Sequence, residues 1–133
     1  MILFLDVEVL LKQNSEKNFE NLIFNEKVFN WIKLKNFDKI FIVTNEKGIA
    51  EGNIDEKLFD TKLEYIRQNL ECYTKVKSFC YYYPYQEKNG LLIKNIIKAE
   101  NIDKTNSCLL GFKKSHKEDA SLSGVKYIDL RNI

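Results

Sequence analysis

Two carboxylates two positions apart, Asp6 and Glu8, follow the apolar run Met1-Ile2-Leu3-Phe4-Leu5. An uninterrupted apolar run is the signature of a central parallel strand covered on both faces. Ligands of open α/β sheets sit just beyond the carboxyl ends of such strands. Residues two apart on an extended chain point in similar directions. Asp6 and Glu8 are therefore candidates to share one site, for a phosphate or a metal ion. The same pair would also serve simply to end a strand and open a polar loop, and both readings stand at this point. A second stretch has the same character. The β-branched run Lys39-Ile40-Phe41-Ile42-Val43-Thr44 passes directly into Asn45-Glu46-Lys47-Gly48-Ile49-Ala50-Glu51-Gly52. Polar residues and two glycines behind a strand suit a loop that approaches a ligand closely.

The elements that must position these residues alternate in type. Strands are expected at the amino terminus, at 39–44, at Val76–Tyr83, at Ser107–Gly111 and at Val125–Leu130. Helices are expected at Phe19–Lys35, Ile54–Leu70, Leu91–Ala99 and His116–Leu122. Val9-Leu10-Leu11 and the polar stretch from Lys12 to Asn18 predict a turn or short hairpin beside the first strand. The first helix carries an apolar stripe through Leu22, Ile23, Val28, Phe29, Ile32 and Trp31, and the second through Leu58, Leu63, Ile66 and Leu70. Lys88-Asn89-Gly90 opens the third. Strand–helix alternation implies a parallel sheet with right-handed crossovers.

The 133 residues suit one domain with one core, spanning 1–133. A net charge of +2 sets up no field to attract nucleic acid. No run approaches the ~18 apolar residues of a membrane span, and the start lacks the basic flank of a signal peptide. The three cysteines, Cys72, Cys80 and Cys108, are scattered and odd in number, which points to a reduced, cytoplasmic setting.

The chain resembles the haloacid dehalogenase-like (HAD) superfamily of phosphohydrolases. The likeness is to the branch holding the heptose-bisphosphate and histidinol-phosphate phosphatases and the polynucleotide 3'-phosphatases. Thr44-Asn45-Glu46-Lys47-Gly48-Ile49-Ala50-Glu51-Gly52 matches that branch's T-N-Q-x-G-I-x-x-G loop, with Glu46 for Gln. Asp6-Val7-Glu8-Val9-Leu10 stands where the family has D-x-D-G-T. Glu87-Lys88-Asn89-Gly90 stands at the helix start that supplies a Lys. Gly111-Phe112-Lys113-Lys114-Ser115-His116, ahead of Ser123-Gly124-Val125, stands without a gap where the family has G-D-x-x-x-D ahead of A-G-V.

The resemblance implies a three-layer, Rossmann-like α/β fold with a five-stranded parallel sheet of order 5-4-1-2-3. It leaves no cap domain, since a single helix occupies the space between Asp6 and Thr44. It implies Mg²⁺-dependent phosphomonoester hydrolysis through an aspartyl-phosphate at Asp6. Glu8 would be the acid/base, Thr44 and Asn45 the phosphate loop, and Lys88 the clamp on the phosphoryl oxygens. Mg²⁺ would sit on Asp6 and the Glu8 carbonyl. With Phe112 and His116 in place of two family acids, Asp119, Glu118 or Glu46 would complete its ligands. His116 itself reads as a surface residue, and Lys113 and Lys114 as a solvated pair. Cys80 and Pro84 are all that remains of the zinc loop of the heptose-bisphosphate phosphatases, so no zinc is expected. Phe79, Tyr81, Tyr82, Tyr83 and Tyr85 read as strand packing.

The implied substrate is a phosphorylated small molecule, a sugar phosphate first, with nucleic acid disfavoured. The open site leaves room for a second copy or a partner protein to cover it. The lost glycine, threonine and acids keep a second reading open, a catalytically inactive binding or interaction module. A third is an anion cradle without turnover.

Overall fold

The computed structural model describes residues 1–12 and 22–133. Its strands are β1 (Ile2–Asp6), β2 (Lys39–Asn45), β3 (Ser78–Tyr83), β4 (Ser107–Gly111) and β5 (Lys126–Asp129). Its helices are α1 (Glu26–Lys35), α2 (Lys47–Ala50), α3 (Glu56–Thr74), α4 (Leu91–Ala99) and α5 (Lys114–Ser123). The five strands pair in parallel in the order β3-β2-β1-β4-β5, the expected order read from the other edge. β1 is therefore central, and its Leu3, Phe4 and Leu5 are fully buried.

Strand alternation divides the core into two layers. Leu3, Leu5, Ile40, Ile42 and Leu110 face one side, where Val28, Ile32, Leu63 and Ile66 of α1 and α3 cover them. Phe4, Phe41 and Leu109 face the other, under Ile93, Ile96 and Ala120 of α4 and α5. Phe41 stacks between Phe4 and Phe79 at centroid distances of 5.3 and 5.5 Å. Burying one such side chain stabilises the fold by roughly 1.5–3 kcal/mol, so each layer is held by several large contributions.

Several expected bounds shift. After β1 the chain winds into a 3-10 turn, Val7–Leu10, whose Val7, Val9 and Leu10 are buried. Leu11 then bridges Phe24 in antiparallel fashion. The expected stretch from Lys12 to Asn18 lies outside the described residues except for Lys12, and so do 19–21 of the expected first helix. Leu22 and Ile23 are not helical. Asn25 Oδ1 accepts from the Val28 N–H, capping α1 so that it begins at Glu26. In α3 the buried stripe runs through Phe59, Leu63, Ile66 and Leu70, whereas Leu58 is 49% exposed. One residue's rotation about a 3.6-residue helix decides which of the adjacent pair faces inward. Strand β3 is a sheet edge, and its tyrosines are half-buried. They pack, as expected, and also hydrogen-bond outward. The Tyr82 hydroxyl donates to Asp60 and the Tyr81 hydroxyl to Glu100.

The three described cysteines are free thiols, with Cys80 half-buried in β3. Burial, foremost, pushes its thiol up to about 12. No helix among the described residues is long and apolar enough to cross a membrane.

Candidate active site

Register brings the candidate residues to one end of the sheet. Asp6, the last residue of β1, pairs with Val43, so Thr44 and Asn45 lie just beyond it on the adjacent strand. Behind them the loop is stitched to the end of β3: Glu46 N–H donates to the Tyr83 carbonyl and Ala50 N–H to that of Pro84, both at 2.9 Å. The single turn of α2 forms where a loop was expected. Glu46 caps it, accepting from Gly48 N–H at 3.1 Å, so this candidate metal ligand is committed to its own loop. Gly48 sits close to its neighbours: a Cβ there would lie 2.7 Å from Ile54 Cδ1, so the Ile54 tip would have to shift.

Asp6, Thr44, Asn45, Lys88, Gly90 and Asp119 line one small cleft. Asp6, Thr44, Asn45 and Lys88 are positions the resemblance named and Asp119 a replacement ligand proposed beside them, and topology gathers them from β1, β2, the start of α4 and α5. Asp119 faces this cleft by way of α4: its Oδ1 accepts the Gly90 N–H at 2.7 Å. Glu118, its alternative, accepts from Asn89 Nδ2, also at 2.7 Å. Both acids thus brace the Lys88-Asn89-Gly90 turn. Asn45 Oδ1 is a buried side-chain atom with no hydrogen-bond partner. A buried amide oxygen left unpaired costs free energy until a donor reaches it.

Asp6 accepts the Glu8 N–H at 3.0 Å. Burial, and then the neighbouring Glu8 charge, raise its carboxyl from 3.8 to about 7. Glu8 goes the other way. Burial pushes it upward, but hydrogen bonds from His116 and Lys113 outweigh that and hold it below the usual carboxylate range. Lys113 Nζ lies 2.7 Å from Glu8 Oε2 and His116 Nε2 lies 3.2 Å from Glu8 Oε1.

The surface reading of His116 is corrected, since the residue is 3% exposed, whereas Lys113 and Lys114 are exposed as expected, and Lys113 is also ion-paired. The imidazole fits because Gly111 makes room: a Cβ at 111 would lie 2.4 Å from His116 Cβ. His116 Nδ1 accepts the N–H groups of Phe112 and Lys113 at 3.2 and 3.3 Å, closing the start of α5. Phe112 lies edge-on to the imidazole, with centroids 5.2 Å apart, and packs on the core beside α1 and α3. The available signal for this cluster was the ungapped 111–116 segment, which sets its residues beside β1.

Val9 and Leu10 occupy the family's glycine and threonine positions as core residues, 1% and 0% exposed. The turn they form supplies no hydroxyl to the cleft.

Among the described residues, one set of side chains, Asp6, Glu8 and His116, brings potential metal ligands within 4.8 Å of one another. The donor chemistry argues against an ion there. A metal-bound imidazole donates its second N–H outward, whereas His116 Nδ1 accepts two hydrogen bonds. Its proton therefore resides on Nε2, facing Glu8. Both Glu8 oxygens are taken. Mg²⁺ requires several oxygen ligands in an octahedron, and the side chains as arranged do not fit it.

No family model and no curated protein matches the chain. Solved structures do. The chain is similar to the D,D-heptose 1,7-bisphosphate phosphatase of B. bronchiseptica, solved with magnesium and phosphate. Identity is 17%, the TM-score is 0.75, and the match covers 95% of this chain and 78% of that one. It is also similar to a protein of Mesorhizobium loti assigned as a HAD-like phosphatase. There identity is 16% and the TM-score 0.72, over 93% of this chain and 68% of that one. The fold is that of the HAD-like phosphatases, as the sequence motifs implied.

Proposed function

We propose that this chain, built on the fold of the HAD-like phosphatases, is a phosphohydrolase that binds a phosphomonoester in the cleft and attacks it with Asp6. The observation that carries this reading is the convergence of Asp6, Thr44, Asn45 and Lys88 on one cleft at the carboxyl ends of β1 and β2. Lys88 supplies a positive charge for the phosphoryl oxygens, and Thr44 and Asn45 supply neutral donors. An Asp6 oxygen forms a bond to phosphorus as the bond to the ester oxygen breaks, and the leaving oxygen takes a proton. Water then attacks phosphorus, releasing inorganic phosphate and restoring the carboxylate. The resemblance assigns the proton transfers to Glu8. The substrate class is a phosphorylated small molecule, a sugar phosphate first, and a cleft with no cap among the described residues accommodates its varied bodies. No step here runs through Mg²⁺, because the one side-chain cluster among the described residues, Asp6, Glu8 and His116, does not offer it a set of oxygen ligands.

Hydrolysis of p-nitrophenyl phosphate by wild type and Asp6→Asn tests this. Turnover is expected in the wild type and lost in the variant. Equal rates in both would remove Asp6 from the chemistry.

One observation favours a second reading, phosphate binding without turnover. Glu8 is held ionised between Lys113 and His116, which leaves it poorly placed to give up a proton. Tight binding of inorganic phosphate with no turnover of the aryl ester would select that reading.

A further inference from the structure

We propose that the Lys113 ammonium, braced with His116 against Glu8, takes the place of a metal ion beside this cleft, next to Asp6, so that a phosphoryl group binds without Mg²⁺. This rests on the reading of the cleft as a phosphoryl site.

The argument starts from charge. Asp6 and Glu8 place two carboxylates beside the position a phosphate dianion would occupy, so a cation is needed on the β4 side. Lys113 holds that side. It lies two residues beyond β4, reaches 2.7 Å from Glu8 Oε2, and its charge acts on Asp6 as well. A lysine ammonium is a compact point charge that binds phosphate without a metal's coordination demands.

His116 fixes the arrangement. Its Nδ1 is occupied by the Phe112 and Lys113 N–H groups, so Nε2 is the nitrogen that donates to Glu8. The same contacts anchor the backbone from which the Lys113 side chain extends. Phe112 offers no ligand atom to an ion: its ring packs on the core and edge-on to His116. Four features of one segment, the Gly111 clearance, the Phe112 ring, the Lys113 ion pair and the His116 cap, thus serve one electrostatic arrangement.

The test is titration of the full chain with inorganic phosphate by calorimetry, in EDTA and again with excess Mg²⁺. Each variant's fold is checked by its thermal melt. Equal affinity in the two buffers is expected. Lys113→Ala should bind phosphate about tenfold more weakly or worse, the scale of a lost charge-assisted contact, and Lys113→Arg should recover most of it. In the converse experiment, the pair Phe112→Asp and Lys113→Ala should acquire a rise in melting temperature with Mg²⁺ that the wild type lacks. Tenfold tighter wild-type binding with Mg²⁺, or unchanged binding by Lys113→Ala, would overturn the proposal while leaving a phosphate site in place. Absence of phosphate binding in both buffers would overturn the phosphoryl-site reading itself.

Discussion

The Gly90 N–H donates to Asp119 Oδ1 at 2.7 Å, tying the first turn of α4 to the face of α5. That bond sets the Lys88 turn against the cleft. Gly90 is itself confined, with φ of 79° and room for a Cβ only 2.9 Å from Leu122 Cβ. Asp119→Ala leaves a buried N–H unpaired and should cost ~1–3 kcal/mol of stability. Phosphate affinity should fall with it, as Lys88 loses its support. Denaturant unfolding and phosphate titration of the variant check both effects. Full stability with only a lost metal response would instead make Asp119 a ligand.

Asp6 destabilises the ligand-free fold where it is ionised. Its folded-state value of about 7 lies above the 3.8 of the free side chain. Between those values the folded state holds a proton that the unfolded state has released. Stability therefore falls as pH rises from about 4 to about 7 and levels off above that. Asp6→Asn escapes this loss. The variant should be little changed at about pH 4 and more stable than wild type by ~1–3 kcal/mol at about pH 8. The shift alone would allow ~4 kcal/mol, and the group's position at the cleft reduces it. Urea midpoints across that range decide the matter, since a pH-independent difference would mean that the Asp6 charge is not the cause.

Gly111→Ala should destabilise the protein by ~1–3 kcal/mol through overpacking. The added methyl meets His116 Cβ at 2.4 Å, a contact on the helix body rather than on a flexible tip. The displaced imidazole would release both backbone N–H groups it caps and its hold on Glu8. The imidazole NMR signals should shift in this variant, and calorimetric unfolding should register the loss. An unshifted imidazole would show that β4 and α5 can separate freely.

Restoring the family's threonine by Leu10→Thr should fail to improve the site. Leu10 is fully buried in the layer under α1 and α3. A hydroxyl there loses apolar contact and finds no evident partner, at a cost of ~2–4 kcal/mol. Equilibrium unfolding reads the stability change, and the aryl phosphate assay reads turnover. A stable variant with higher activity would place residue 10 in the cleft rather than in the core.

The sequence by itself determined the architecture and one wall of the cleft. The apolar run before Asp6 can be satisfied only by a strand covered on both faces, and five strands alternating with helices then leave few topologies. The 44–52 segment carried enough glycine and polar spacing to be matched as a loop behind β2. Helix bounds were less legible. Leu22 and Ile23 continue the periodicity of α1, yet Asn25 caps the helix after them, because a side-chain cap satisfies free N–H groups that periodicity does not register.

Only the tertiary structure decided what Lys113, His116 and Asp119 do. Residues 8 and 113 meet because β1 and β4 are neighbours, and their ion pair spans 105 positions of sequence. A lone histidine among polar residues looks solvated. It is buried here because Gly111 lacks the atoms that would exclude it. Composition marks which side chains carry charge, whereas the pairing of those charges depends on strand order and on single-methyl clearances that no local pattern encodes.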